Sequence, residues 1–122
     1  MSFVRVSSVR SVTYALEKKV PPNYVVTAEG QVNSGGWSEA ELSPWMYITP
    51  PADGVQDFDF VAKRPTGIVT MAFKDIEGMG RLLDVEEQDY FGKGQPLKGF
   101  RIHAAANSVV VMLHSGRAQL VK

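Results

Sequence analysis

The chain contains no cysteine, which removes disulfides, thiolate metal ligands and cysteine nucleophiles together. It also lacks a net charge. Thirteen Lys and Arg balance thirteen Asp and Glu, so no long-range field draws it to nucleic acid, to an anionic membrane or to acidic substrates. Neither nucleic acid nor membrane is expected as a partner. No apolar run is long enough to cross a bilayer, and Met1 to Val12 alternate polar with apolar instead of forming a signal-peptide core. The chain therefore reads as soluble, with the cytoplasm as the default compartment and export left open if a signal has been removed. Phosphate-binding motifs are missing too. Gly78-Met79-Gly80 lacks the third glycine of a dinucleotide fingerprint, and Gly92-Lys93-Gly94 lacks the upstream glycine and the following Ser or Thr of a P-loop. Both read as turns.

What remains is the composition of an ordinary globular domain. Over 122 residues, 44% are apolar and 21% charged, enough to bury one core and far from the pattern of a disordered chain. A single domain over 1–122 is expected. Strand-type alternation dominates it. Val12, Tyr14 and Leu16 are apolar at every second position, and Tyr24, Val26, Ala28, Gly30 and Val32 repeat the pattern over the longest clean run. Gly30 within that run marks a bulge or a close backbone approach. Asn33 to Gly36 is a turn by composition, and Ser38 to Leu42, cut short by Pro44, reads as loop. Trp45 to Thr49 is rich in strand formers, and its flanking prolines suit a short strand at a sheet edge.

Val55 to Lys63 alternates again, with Phe58 and Phe60 inward and Asp57 and Asp59 outward. Arg64-Pro65-Thr66-Gly67 then reverses the chain, so 55–63 and 67–74 are expected to form a hairpin. Residues 75–97 show no clear period, but Ile76, Leu82, Leu83, Val85, Tyr90, Phe91 and Leu97 argue that the segment packs on the body. Phe100 to Ala105 and Ser108 to Leu113 form a second hairpin, and 115–122 either add a strand or fray. Seven to eight short strands at this spacing favour an all-β antiparallel sandwich, with a small barrel as the alternative. The expected core includes Tyr14, Val26, Phe58, Phe60, Val69, Phe100, Ile102 and Val111. The Cys…Trp…Cys signature of immunoglobulin domains is absent, so the reading is one of architecture.

Candidates for chemistry are few. His103 and His114 are the only histidines, and without cysteine a zinc site would need both together with carboxylates. No metal and no cofactor is expected. Ser108 and Ser115 are nucleophile candidates without a Gly-x-Ser-x-Gly elbow around them. Asp57 and Asp59 share a strand face, where a half-buried strand normally carries charge toward solvent. Asp84 to Asp89 lacks the spaced oxygen ligands of a calcium loop. The aromatic residues are the better lead. Trp37 follows a Gly-Gly turn, and Trp45 and Tyr47 share one parity, so these three are candidate ligand-binding residues forming a platform for sugars or peptide side chains. The expectation is a non-catalytic binding or interaction module that uses loops 33–45 and 75–97 toward a protein, peptide or carbohydrate ligand. The alternatives are a small hydrolase or metal-assisted enzyme using His103 or His114 with Asp57 or Asp59, and a structural subunit assembling as a homo-oligomer through an edge strand.

Overall fold

The computed structural model describes residues 3–114. Eight strands follow in chain order: β1 (Phe3–Arg5), β2 (Ser8–Leu16), β3 (Tyr24–Val32), β4 (Ser38–Pro44), β5 (Val55–Lys63), β6 (Lys74–Leu82), β7 (Gly99–His103) and β8 (Ser108–Met112). One 3₁₀ turn, Glu87–Asp89, is the only helical element among the described residues. β2, β3 and β6 make an antiparallel sheet with β3 in the middle. β5 is the axis of the other sheet. β4 pairs along one of its edges, while the opposite edge is shared by β7 at 55–59 and β1 at 61–63; β8 pairs with β7. The β5–β7 pair is parallel and the other pairs are antiparallel. The two sheets pack face to face as an all-β sandwich.

Alternation explains which residues fill it. On β3 the side chains of Tyr24, Val26, Ala28 and Val32 all point inward and are buried, as period two requires of a strand with one covered face. Phe58, Phe60 and Ala62 of β5, with Phe100 and Ile102 of β7, meet them from the other sheet with no solvent exposure. β2 buries Val9 and then Val12, a change of parity produced by a bulge between Val9 and Ser11. Gly30 lies opposite Val9 at this bulge, where a Cβ would collide with the Ser8 carbonyl. Tyr14, Val111 and the rest of the expected core are likewise buried, except Val69, which is half-buried.

Four local expectations are corrected. Residues 67–73 do not pair with β5 as a hairpin; they cross from one sheet to the other, and the strand that follows, β6, joins β3. Residues 38–42, read as loop, belong to β4, and 75–82, within the stretch read as aperiodic, belong to β6. Trp45 to Thr49 is not a strand. Gln56 Nε2 takes the Trp45 carbonyl at 3.0 Å, and the Asp57 N–H bonds the Tyr47 hydroxyl at 2.8 Å, so side chains fill places that a partner strand would occupy. The segment 115–122 lies outside the described residues.

β6 can lie close to β4 because its inward positions carry glycine. A Cβ at Gly80 would sit 2.7 Å from the Leu42 carbonyl oxygen and 3.2 Å from the Phe58 ring, closer than packed atoms tolerate. Gly80→Ala must therefore spread the sheets, and overpacking of this kind costs about 1–3 kcal/mol. The urea unfolding midpoint is expected to fall accordingly, and an unchanged midpoint would show that the sheets have room to spare.

Candidate functional site

β5 opens with four consecutive buried residues, Val55 to Phe58, so both of its faces are covered at this end. Gln56 and Phe58 face the core side. Asp57 points to the outer face and, contrary to the solvent-facing expectation, is only 5% exposed. The cover is segment 45–50. The Trp45 N–H donates to the Asp57 carbonyl at 2.9 Å, and the Tyr47 hydroxyl donates to Asp57 Oδ2 at 2.6 Å.

The other carboxylate oxygen is shared by β7. Parallel pairing sets Asp57 beside Arg101 and Asp59 beside His103, so Arg101 Nη1 reaches Asp57 Oδ1 at 3.0 Å and His103 Nε2 reaches it at 2.8 Å. Arg101 also donates to Asp53 Oδ2 at 2.7 Å. Burial alone would push the Asp57 carboxyl up, but the hydrogen bonds from Tyr47, His103 and Arg101 outweigh it and hold the group below the usual carboxylate range. An ionised carboxylate only accepts, so His103 donates to it from Nε2. The same network acts on Tyr47, whose phenol is pushed up by burial and by its bond to the charged Asp57.

Trp45 lies flat on His103, with ring centroids 4.8 Å apart and planes 14° from parallel. Tyr47 meets Phe91 edge to face at 5.7 Å, and Tyr90 meets Phe91 in the same way at 4.7 Å. Tyr90 in turn donates to Gln56 Oε1 at 3.0 Å. These contacts bring segment 45–50 and the 90–91 pair to one end of the sandwich. Between them lies an open cleft of about 460 Å³, lined by Trp45, Met46, Tyr47, Ile48, Pro50, Gln56, Tyr90 and Phe91.

Of the aromatic candidates, Trp45 and Tyr47 thus share one site, and Trp37 does not. Seven residues of β4, roughly 20 Å of extended chain, separate Trp37 from Trp45. Trp37 packs against the core and donates its indole N–H to Ser34 Oγ at 3.1 Å. The two histidines also part company. His114 lies beyond the far end of the β7–β8 hairpin and bonds Glu87 Oε2 at 2.9 Å. Asp59 is held by Arg5 at 2.8 Å. Ser108 faces His103 across the ladder without a side-chain hydrogen bond to it, and Ser115 lies outside the described residues. Among the described residues no group of three metal-ligating side chains converges. Loop 75–97, expected to form part of the contact surface, supplies Tyr90 and Phe91 to the cleft, although neither was singled out as a site residue; Gln56, Met46, Ile48 and Pro50 were missed.

Comparison of the chain with protein-family models, with curated proteins and with solved structures finds no match.

Removing the carboxylate leaves Arg101, His103 and Tyr47 without their acceptor, and Asp57→Ala is expected to cost about 3 kcal/mol at neutral pH. The folded pKa of Asp57 is depressed, so its stabilisation is complete above the unfolded value of about 3.9 and is lost as pH falls through the folded value. Urea midpoints measured from pH 6 downward should therefore fall more steeply in the wild type than in Asp57→Ala. Parallel profiles would contradict the assignment.

Proposed function

We propose that the chain is a non-catalytic binding module whose cleft receives an extended, apolar, proline-bearing segment of a partner protein. One observation carries this reading. The polar side chains behind the cleft are already engaged from within: Gln56 Nε2 by the Trp45 and Asp57 carbonyls, Gln56 Oε1 by Tyr90, and the Tyr47 hydroxyl by Asp57. A carbohydrate needs partners for its hydroxyls, and a site that offers few selects against it. Aromatic edges and faces together with Met46, Ile48 and Pro50 suit proline rings and aliphatic side chains, which dock in aromatic-lined grooves with little loss of conformational freedom.

The contact of His103 with Asp57 favours the enzymatic alternative, because a carboxylate orienting a histidine is half of a hydrolytic arrangement. The other half is a nucleophile, and no hydroxyl bonds His103 among the described residues. Stacking under Trp45 gives the histidine a structural role instead.

Panning a displayed library of random peptides tests the proposal. Enrichment of sequences with proline and aliphatic residues is expected. Trp45→Ala should weaken binding of a selected peptide at least tenfold, as an interface anchor of about 2 kcal/mol implies, while lowering stability much less than truncation of a fully buried tryptophan. No enrichment, or binding of glycans on an array that depends on Trp45, would overturn it.

A further inference from the structure

The segment joining β5 to β6 runs Arg64 to Phe73 and carries no charge from Pro65 onward. It is anchored at its middle. The Gly35 N–H donates to the Thr70 carbonyl at 3.0 Å, and Val69 lies against Gly36, whose φ of 87° leaves no place for a side chain. Val69 is the one large apolar side chain of the segment that is turned inward. Ile68, Met71 and Phe73 are 104%, 73% and 72% exposed, projecting from the surface without cover among the described residues.

Each flank of this tip begins with a basic residue, and the first acidic one beyond it, Asp75, is paired with Arg10 at 3.5 Å. Arg64 and Lys74 have no ion-pair partner among the described residues, whereas Lys63 is engaged by Glu39 at 2.9 Å. No acidic residue occurs between Lys63 and Lys74. The apolar tip at the opposite end, Met46 and Ile48, carries no Lys or Arg on its own segment, and Arg101 nearby is held by Asp53 and Asp57, while Lys98 lies farther back, beside Gly54 and Pro50.

We propose that the 64–74 loop docks on an anionic lipid surface, with Ile68, Met71 and Phe73 entering the headgroup boundary and Arg64 and Lys74 contacting phosphates. A projecting apolar tip fits a penetrable phase better than a rigid protein face, and basic residues at its base match the charge of the lipid. The balanced net charge does not oppose this. Charges are screened beyond about 8 Å at physiological salt, so the local patch governs docking.

Sedimentation of the full chain with vesicles tests the proposal, using phosphatidylcholine alone and a three-to-one mixture of phosphatidylcholine with phosphatidylserine. Binding to the mixed vesicles that weakens with salt is expected. The double variant Ile68→Ser, Phe73→Ser should bind about tenfold more weakly or worse, and Arg64→Gln and Lys74→Gln about fivefold more weakly each. These exposed changes should leave the melting temperature near that of the wild type, and Trp45→Ala should bind vesicles unchanged, which separates this surface from the cleft. Failure to bind the mixed vesicles at low salt, or equal binding by the double variant, would overturn the proposal. So would lipid-free dimerisation that the double variant abolishes, which would assign the loop to a protein contact.

Discussion

A carboxylate buried in a sheet protein costs several kcal/mol unless its oxygens are matched by donors, and the candidate site is organised around meeting that demand at Asp57. Tyr47 serves one oxygen, and Arg101 and His103 the other. The three donors come from two stretches of chain, and Arg101 adds a third through Asp53. Satisfying one charge therefore fixes segment 45–50 over β5 and aligns β7 beside it. No buried side-chain polar atom is left without a partner among the described residues, so the network is closed and has the rigidity that closed polar networks confer.

The cleft is a consequence of that closure. Once Tyr47 is tied to Asp57, its ring stands against Phe91, and Trp45 is pressed onto His103. Gln56, on the other face of β5, holds the Trp45 carbonyl and the Tyr90 hydroxyl together. Two adjacent residues of one central strand thus anchor both walls. Both faces of β5 are occupied here, one by core and one by the aromatic segment, and the polar groups of Gln56, Tyr47 and Tyr90 are spent on construction.

Much of the fold was legible in the sequence where alternation met apolar side chains, as in β2, β3, β5 and the β7–β8 hairpin. It failed where small residues took the inward positions. β6 places Ile76, Gly78, Gly80 and Leu82 on its inner face, a correct period in which two glycines give no hydrophobic signal, and β4 offers only Ala40 and Leu42. The opposite error arose at 67–73, whose β-branched and aromatic residues resemble a strand, although the segment pairs with no strand and leaves Ile68, Met71 and Phe73 exposed. The pairing of Trp45 with Tyr47 was readable from parity, although as a covering segment and not as a strand. Asp57 was misjudged because period two assigns its side chain to the outer face without revealing that another segment covers that face. Its partners on β7 depend on a parallel pairing across more than forty residues of sequence, which no local pattern encodes.

The central claim is that the Tyr47 hydroxyl bond to Asp57 holds the aromatic wall in place. Backbone ¹⁵N order parameters in Tyr47→Phe test it most directly, because the substitution removes one oxygen and leaves the ring. Residues 45–50 are expected to fall from rigid values of about 0.85 toward about 0.6 or below, while β3 and β5 stay rigid. Order parameters in 45–50 that match those of the wild type would contradict it.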